Sequence, residues 1–365
     1  MRRLRSGAGA RGTHRPGAQG VHADADGCAS MTVTLIADIG GSNIRLAVTG
    51  PAARPTQMRA AANDRVDDID GAIAAYLAET GATPEAAVLA VAGPVQGRRI
   101  ALTNRDWVLD LDRIERRFGF RWACAVNDFE ALAWALPEFG PEDLRPLGSG
   151  LPTRAGPVAV LGPGTGLGVS ALVPEEGDRW TSVASEAGHV SFGPAAPDEW
   201  PVFERVAATV EAVSAETVIS GAGLGRLYAA LHPDRPPLTA AEIDAAAERS
   251  DPAATRAVAL FVRLLGRFAG DVALAFKTTG GVYVGGGVAQ KLGSSIDGAA
   301  FRVAFERHPA MRHVLEKIPT ALVTCSEPGL LGCAAYAAHL MRHGASGRDS
   351  APRRIESEIT SHRAR

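Results

Sequence analysis

Short apolar runs separated by tight turns alternate with stretches of helical periodicity from Met31 to about residue 342. Mainly apolar runs at 35–37 and 44–48 flank one glycine-rich turn, and those at 160–161 and 169–173 flank another, which predicts two hairpins. Further strands are predicted at 87–92, 122–126 and 282–284, and helices near 69–79, 112–118, 129–136, 202–208, 241–248, 254–278 and 329–341. This mixture predicts an α/β protein with a partly parallel sheet, and the repeated hairpin suggests two similarly built halves.

The two ends of the chain lack this pattern. Residues 1–30 hold five arginines among glycine and alanine without the apolar core of a signal peptide. Residues 343–365 are rich in arginine, serine and glutamate. Both stretches are predicted to be disordered tails. For the first, an organellar presequence and a translation start at Met31 stay open.

Composition excludes several classes of protein. The 365 residues suffice for two domains, and 46% are hydrophobic, 21% charged, with a net charge of −2. Such a balance favours neither nucleic acid nor an anionic membrane as a partner. The chain has no apolar run long enough to span a membrane. Its four cysteines form no CxxC pair, which disfavours a zinc ribbon and fits a reducing cytosol.

Lysine is nearly absent, and this excludes two nucleotide-binding folds. Lysines occur only at 277, 291 and 317, and no G-x-x-x-x-G-K-[ST] motif exists, so the chain has no P-loop. A protein kinase is excluded too. The first 276 residues contain no lysine for the phosphate-binding strand, and the sequence has no H-R-D or D-F-G motif. The turn from Gly162 to Gly168 also lacks the G-x-G-x-x-G spacing of dinucleotide-binding proteins.

The two hairpin turns carry the first candidate chemistry. A turn that exposes backbone N–H groups and carries a hydroxyl can hold phosphates. We name residues 38–42 the first cradle and residues 164–166 the second cradle; facing each other across a cleft, they would hold a nucleotide from both sides. Asp38 could simply bond its own turn. Beside two cradles, it is better suited to a Mg²⁺ ion on the phosphates.

Several polar residues could bind an acceptor molecule. Asp128 follows a strand that ends at Asn127, where it could cap the next helix or lie in a site at the carboxyl end of the sheet. Asn127 offers a donor and an acceptor to a sugar hydroxyl. Glu186 could be a surface residue, His189 a hydrogen-bonded histidine and Glu216 an ordinary helix residue. A zinc site at 186–189 would lack ligands, because no cysteine follows closely. Converging carboxylates and an imidazole suit a polyol. We refer to these five residues as the acceptor site.

A third glycine cluster, at 285–287, ends a strand and opens a helix. It could be a close-packed turn. Alternatively, it could provide a flat approach for an adenosine, with the helix N-terminus favouring phosphate.

Taken in order and spacing, these motifs resemble the bacterial glucokinases of the hexokinase-like, non-ROK family from residue 34 to about 340. The matching stretches are 38–45, 92–95, 102–104 with Trp107, 126–129, 162–168, 186–189, 214–216, 220–221, 280–287 and 328–332. The resemblance implies an actin/hexokinase-type (ribonuclease H-like) ATPase fold of two α/β domains with the active site in the interdomain cleft. The small domain would span 31–138, completed by a C-terminal helix at about 328–342, and the large domain 139–327.

The same resemblance implies a cytoplasmic homodimer that transfers the γ-phosphoryl of ATP to the 6-hydroxyl of D-glucose, giving glucose 6-phosphate and ADP, without a nucleic-acid or membrane partner. Asp128 would be the general base and would bind glucose together with Asn127, Glu186, His189 and Glu216. Mg²⁺ would be held at Asp38 through water. The implied nucleotide contacts are Ala37, Asp38, Ile39, Gly40, Gly41, Ser42, Gly164, Thr165, Gly166, Gly285, Gly286 and Gly287.

The chain departs from the family pattern at four positions. Ser42 stands where the family has threonine and keeps the hydroxyl. Ser185 and Ala187 stand where glycines are usual, and Ala222 stands where a proline is usual. None of these changes removes a functional side chain. The cysteine-rich zinc motif of ROK sugar kinases is missing from the sequence.

Other functions stay open on the sequence alone. A kinase for glucosamine, mannose or fructose would differ only in the hydroxyls that the acceptor site meets. An actin-like ATPase would share the cradles without needing the loop at 186–189. A sugar-sensing regulator would need a DNA-binding module, for which residues 1–30 are too short and too rich in glycine.

Overall fold

Two mixed β-sheets carry the fold in the computed structural model, which describes residues 32–102, 107–148, 150–153 and 155–343. The strands are β1 (Thr34–Ile39), β2 (Asn43–Thr49), β3 (Thr56–Ala62), β4 (Ala86–Val91), β5 (Arg99–Ala101), β6 (Val108–Asp110), β7 (Trp122–Asn127), β8 (Leu144–Pro146), β9 (Val158–Pro163), β10 (Leu167–Pro174), β11 (Trp180–Ser185), β12 (Gly281–Val284) and β13 (Thr320–Val323). The helices are α1 (Ile69–Thr80), α2 (Leu111–Phe118), α3 (Asp128–Ala135), α4 (Trp200–Ala207), α5 (Ala215–Val218), α6 (Gly221–Leu231), α7 (Ala240–Glu248), α8 (Pro252–Phe276), α9 (Gly287–Leu292), α10 (Gly298–Phe305), α11 (Arg312–Leu315) and α12 (Pro328–His343).

Three earlier expectations fall partly outside these ranges. The predicted tail at 1–30 lies outside them, as does the tail at 343–365 apart from His343, which ends α12. The same holds for residues 103–104 of the matching stretch around Trp107.

The first sheet has the strand order β3-β2-β1-β4-β7. β1 and β2 form the predicted first hairpin, whereas β1, β4 and β7 run parallel. In this register Ile39 lies opposite Val91, and Val91 lies opposite Asn127. The carboxyl ends of the three parallel strands therefore meet at one edge, and that edge carries both the first cradle and the start of α3.

The second sheet has the order β11-β10-β9-β12-β13-β8. β9 and β10 form the predicted second hairpin, and β9 runs parallel to β12, with Leu161 opposite Val284. The second cradle follows β9, and the glycines at 285–287 follow β12. Both glycine turns therefore lie at the same edge of this sheet.

Helices α3 and α12 pack between the two sheets. One buried cluster contains Ile36 and Val88 of the first sheet, Val160 and Tyr283 of the second, and the apolar residues of both helices. The helices cross closely at Gly332, where any Cβ would overlap the main-chain oxygen of Ala131. The first sheet has its other core against α1 and α2, and the second against α8. The predicted domain boundaries themselves stay a prediction.

Most predicted elements exist to within a few residues, but several exposed or short ones were missed. β3 and β11 are edge strands, and most of their residues are exposed. Their sequences, TQMRAAA and WTSVAS, lack the alternation by which a strand is predicted. No helix in the described ranges is both long enough and apolar enough to cross a membrane.

Candidate active site

The first cradle is the tight turn between β1 and β2. The Gly40 N–H donates to the Asn43 oxygen at 3.0 Å and closes the turn, which leaves Gly41 and Ser42 exposed at its tip. Asn63, itself buried, supports the turn from behind. Its Nδ2 donates to the Gly40 oxygen at 2.8 Å, and its main-chain N–H donates to the Ser42 oxygen at 2.9 Å. The cradle is thus held rigidly with its tip free for a ligand.

Sequence analysis missed Asn63, because the exposed strand β3 that leads to it was not predicted. Ala37 and Ile39, which the resemblance places among the nucleotide contacts, are buried in β1, a strand that is paired on both sides. Only their main chain could serve a ligand, so the exposed N–H groups at the tip are the better phosphate donors.

Asp38, the first residue of the first cradle, belongs to a small charge network. Its Oδ2 is 3.6 Å from Nη1 of Arg45, and the Nε of Arg45 is 2.7 Å from Oε2 of Glu327. Burial raises the pKa of Asp38, Arg45 opposes this by lowering it, and Glu327 raises it further. The side chain is still 22% exposed, so an ion could reach it.

These surroundings fit a magnesium ion that arrives with a nucleotide. Mg²⁺ is usually bound by one or two carboxylates together with substrate phosphates and waters. The described residues contain no cluster of three or more His, Cys, Asp and Glu suited to a metal. Asp38 would accordingly hold the ion only in combination with phosphate oxygens on the cradles.

Asp128 begins α3. One of the two interpretations of the sequence made it the cap of this helix, and that interpretation is wrong. The cap is Asn127, whose Oδ1 accepts from the N–H of Phe129 at 2.9 Å and of Glu130 at 3.3 Å. The Nδ2 of Asn127 donates to the Gly93 oxygen at 3.1 Å. The Oδ1 of Asp128 accepts from the main-chain N–H of Phe129 at 2.9 Å.

The carboxyl of Asp128 has a strongly shifted pKa. Burial and then the charge of Asp38 raise it from 3.8 to about 6, and hydrogen bonds from Phe129 and Asn127 only partly oppose this. Two carboxyls therefore lie close enough to affect each other, one at the cradle and one at the start of α3. A carboxylate with a pKa near 6 is ionised at neutral pH and is more basic than an ordinary aspartate.

The second cradle is held by the elements around it. The Gly164 N–H donates to the Gly166 oxygen at 2.8 Å, and the Gly164 oxygen accepts from the Gly221 N–H at 2.9 Å. Glu216 fixes the end of the turn, because its Oε2 accepts from the Leu167 N–H at 2.8 Å. Thr165 stays exposed at the tip. The predicted sugar residue Glu216 therefore lies directly beneath a predicted phosphate turn.

The third glycine cluster packs against the second hairpin. Gly285 donates its N–H to the Leu161 oxygen at 2.8 Å, and Gly286 has a φ of 82°. A Cβ on Gly286 would come within 2.5 Å of the Pro163 oxygen, and one on Gly162 would overlap Gly285. Gly285 and Gly286 are therefore close-packed, and their contact with an adenosine stays a prediction. A Cβ on Gly287 would meet nothing within 4 Å, so that position is open to a ligand.

The remaining acceptor residues lie on a short 3₁₀ turn. Glu186 and His189 are 74% and 61% exposed, and 4.0 Å separates Oε2 of the first from Nε2 of the second. Gly188 between them fits against the Leu167 oxygen, where a Cβ would clash. The turn is thereby attached to the same hairpin as the second cradle. Asn127 and Glu186, from the two sheets, line one cavity.

Phe129 joins the two halves of the site. A Cβ on Gly168 would overlap its ring, so α3 and β10 pack in direct contact one residue after Asp128. The structure thus brings Asp38 and Asp128 together, and it connects Glu216 and the turn at 186–189 to the second cradle. A carboxylate with a raised pKa near one glycine turn, with polar residues attached to the other, suits phosphoryl transfer to a hydroxyl.

Comparison with known proteins gives the same picture. The family description “Glucokinase” matches residues 35–340. A protein named Glucokinase from Cupriavidus pinatubonensis is 37% identical over 323 residues, covering 85% of this chain and 93% of the relative.

Solved structures agree as well. The glucokinase from an Antarctic psychrotroph is 29% identical with a TM-score of 0.77, covering 83% of this chain and 98% of that one. A ROK family glucokinase from Streptomyces griseus, solved with glucose and AMPPNP, is 24% identical with a TM-score of 0.58, covering 84% and 98%, and bears on the fold alone. The predicted two-domain α/β sugar-kinase fold is confirmed.

Proposed function

The chain belongs to the glucokinase family, and from this premise we propose that Asp128 is the general base of its reaction. The protein is an ATP-dependent hexose kinase that phosphorylates glucose. One observation carries the assignment of Asp128. Asn127 caps α3, so the Asp128 carboxyl does not. The Asp128 carboxyl lies near Asp38, and its pKa is raised to about 6.

In the proposed step, Asp128 accepts the proton of the 6-hydroxyl as that oxygen attacks the γ-phosphorus of ATP. The bond from the sugar oxygen to phosphorus forms while the bond from phosphorus to the bridging oxygen of ADP breaks. Main-chain N–H groups of Gly41, Ser42, Thr165 and Gly166 meet the charge on the phosphoryl oxygens. Positioning and charge stabilisation supply most of the acceleration in this class of reaction.

The acceptor site is proposed to hold glucose through Asn127, Glu186, His189 and Glu216 besides Asp128. Asn127 already caps α3 and donates to Gly93, which gives it a fixed position rather than a free amide. Glu186 and His189 are exposed, so both are accessible to a ligand. Glu216 uses Oε2 on Leu167 and has Oε1 for a sugar hydroxyl.

ATP is proposed to lie with its phosphates between the two cradles and its adenosine near 285–287. The open surroundings of Gly287 support the latter. Mg²⁺ would be held by Asp38 and would neutralise phosphate charge when bound. Arg45, anchored by Glu327, keeps a positive charge beside Asp38 and so favours its ionised form.

Replacing the base without changing its shape is the direct test. Asp128→Asn should lower turnover by roughly 10² or more while the protein stays folded, because the amide cannot accept the proton. Asp178→Asn is the matched control, since Asp178 lies exposed in a turn with a φ of 57°, a conformation that asparagine tolerates. Turnover of the Asp128 variant close to wild type would refute the assignment.

The sugar preference is tested with a panel of glucose, mannose, fructose and glucosamine in a coupled ADP assay. We expect ADP release to depend on the sugar and to be fastest with glucose. ADP release at the same rate without sugar would instead indicate an actin-like ATPase.

Three finer points extend the proposal. We assign the chain to the non-ROK branch, because its sequence lacks the cysteine-rich zinc motif; purified protein should contain no stoichiometric zinc by elemental analysis. We place it in the cytoplasm, which fits the free thiols of Cys124, Cys325 and Cys333. We also propose a homodimer, on the family resemblance, to be checked by light scattering.

A further inference from the structure

A large cavity adjoins the acceptor site between the two sheets. Its volume is about 580 Å³, within the range of small-molecule sites. Asn127 and Glu186 belong to its wall, so it opens directly onto the place proposed for the hexose. The rest of the wall comes from the loop after β4 and from β7, α3, β11 and α12. A volume of this size can accommodate a ligand larger than one hexose.

The walls combine aromatic rings with hydrogen-bonding groups. Trp134 and Tyr336 pack together with ring centroids 4.9 Å apart, and Trp180 lines the same cavity. Glu130 accepts a hydrogen bond from Ser182 through Oε1, so its Oε2 is available to another donor. Flat apolar rings beside carboxylates and hydroxyls can pack against the C–H face of a sugar ring and bind its hydroxyls.

The charge of the walls selects among possible occupants. Glu130 and Glu186 line the cavity, and none of the described residues in its wall is an arginine or a lysine. The imidazole of His339 adds no positive charge at neutral pH, because burial, and then His343 and Arg342, lower its pKa to about 4. An anionic ligand such as a second phosphate or a uronic acid is therefore disfavoured. A neutral ligand with many hydroxyls fits.

We propose that this cavity is a second saccharide subsite, which takes a neutral sugar ring attached to the hexose in the acceptor site. The inference rests on the proposed function, since it needs the first ring to be held by Asn127 and Glu186. It extends the substrate or ligand class from free glucose to neutral disaccharides of glucose. The glycosidic linkage that fits is the one whose bond from the first ring points towards Asn127 and Glu186, where the cavity begins.

The test uses the full-length protein and a panel of glucose disaccharides that differ in linkage: trehalose, sophorose, nigerose, laminaribiose, maltose and cellobiose. Each is assayed as a phosphoryl acceptor and as a competitor of glucose. We expect at least one of them to bind as tightly as glucose. An analogue of that disaccharide with a uronic acid as the second ring should bind at least about tenfold more weakly.

Filling the cavity separates the subsite from the acceptor site. Ala184→Trp places a large ring on the cavity wall from the exposed edge strand β11, and Val183→Trp is the matched control, since Val183 is exposed on the same strand and does not line the cavity. Ala184→Trp should weaken binding of the disaccharide about tenfold or more and leave kcat/KM for glucose within about twofold. Val183→Trp should change neither.

The outcomes distinguish the subsite from the proposed function. Normal phosphorylation of glucose without binding of any disaccharide overturns the subsite alone. Equal loss of disaccharide binding in both tryptophan variants overturns it as well. Failure to phosphorylate glucose would refute the proposed function itself. If circular dichroism shows that Ala184→Trp is unfolded, Thr181→Arg, at another exposed wall position of β11, replaces it in the same comparison.

Discussion

Asp128 depends on its neighbour for its chemistry. Asn127 caps α3 with its own side chain, and Asp128 is left at the first helical position, half-buried and near a second carboxylate. An aspartate that capped the helix would have its oxygens committed to main-chain donors and a low pKa. Here burial and Asp38 dominate, and the pKa rises to about 6. The same shift affects both activity and stability.

Activity should fall on the acid side of this pKa. A base must be ionised, so kcat/KM for glucose should be flat near neutral pH and decrease about tenfold per pH unit once the pH is below about 6. The measurement is a pH profile of kcat/KM with buffers of constant ionic strength. Asp128→Asn should lack this acid limb. An unchanged rate down to pH 4 in the wild type would show that no such base operates.

Stability should change in the opposite sense. Because the pKa of Asp128 is higher in the folded protein than its ordinary value of 3.8, ionising the carboxyl destabilises the fold. This cost is complete above about pH 6, declines as the pH falls towards about 4, and vanishes below that. Asp128→Asn should accordingly raise the free energy of unfolding at neutral pH by about 1 to 3 kcal/mol.

Urea unfolding of the wild type and of Asp128→Asn at neutral pH, and again near pH 4, measures this difference. The gain should shrink at the lower pH. A variant that is less stable than the wild type at neutral pH would contradict the pKa assignment, because it would mean that the ionised carboxylate stabilises the fold.

Single residues of the site differ in how far the sequence reveals them. Asp38 lies near the end of the apolar strand β1 and Asp128 directly follows β7, and a carboxylate at a strand end is visible in the sequence. Asn63 is not, because its role consists of bonds to the main chain of Gly40 and Ser42, across an exposed strand without a pattern. Likewise, the contact between Phe129 and Gly168 depends on how two sheets pack together.

At the scale of elements, the glycine turns support each other. The turn after β12 packs against the end of β9. At Gly286 the φ is positive, and the nearby Pro163 oxygen leaves no room for a Cβ. Gly286→Ala should displace the second cradle, because the new methyl group would meet the Pro163 oxygen. We expect a rise in KM for ATP of about tenfold and a loss of roughly 1 to 3 kcal/mol in the free energy of unfolding.

The next residue supplies the control for this prediction. Gly287→Ala introduces a methyl group that would meet nothing within 4 Å, so folding and glucose binding should be kept. Its KM for ATP should rise less than that of Gly286→Ala. Steady-state kinetics with varied ATP, together with thermal unfolding, decides the comparison, and equal behaviour of the two variants would refute the packing argument.

Elements were predictable to the extent that they are buried. β1, β4 and β9 are buried along their whole length, or nearly so, and appear as apolar runs in the sequence. β3 and β11 lie at sheet edges, where solvent replaces one neighbour, and their composition carries no strand signal. Because these two strands were not predicted, two parts of the site were missed as well: Asn63, which follows β3, and the cavity wall formed by β11.

For the whole molecule, the alternation of strands and helices predicted the fold class, but not which distant segments meet. Cys333 on α12 donates to the Ala37 oxygen on β1 across a separation of 296 residues. No local pattern can specify such a contact, because it depends on the packing of the complete chain. The expectation that the last helix returns to the first sheet came from the resemblance to a family, not from periodicity.

The whole molecule also sets how the two sheets can move. Three successive residues of α3 serve both halves: Asp128 is the proposed base, Phe129 packs on Gly168 of β10, and Glu130 bonds Ser182 of β11. Closure around glucose would exclude water from the phosphoryl group. Such a closure would change the contact between α3 and β10. We therefore expect this contact to affect how strictly ATP hydrolysis depends on bound glucose.

Gly168→Ala tests that coupling. The added methyl group would overlap the Phe129 ring and separate α3 from β10, so turnover should fall by roughly 10-fold or more and ADP release without glucose should rise relative to it. Gly50→Ala is the control, because a Cβ there meets nothing within 4 Å. The measurement is ADP released per glucose 6-phosphate formed. If this ratio of ADP to glucose 6-phosphate is near one in both variants and turnover is normal, closure does not depend on the contact between α3 and β10. If the ratio is higher in Gly168→Ala alone, water reaches the phosphoryl group once this contact is opened.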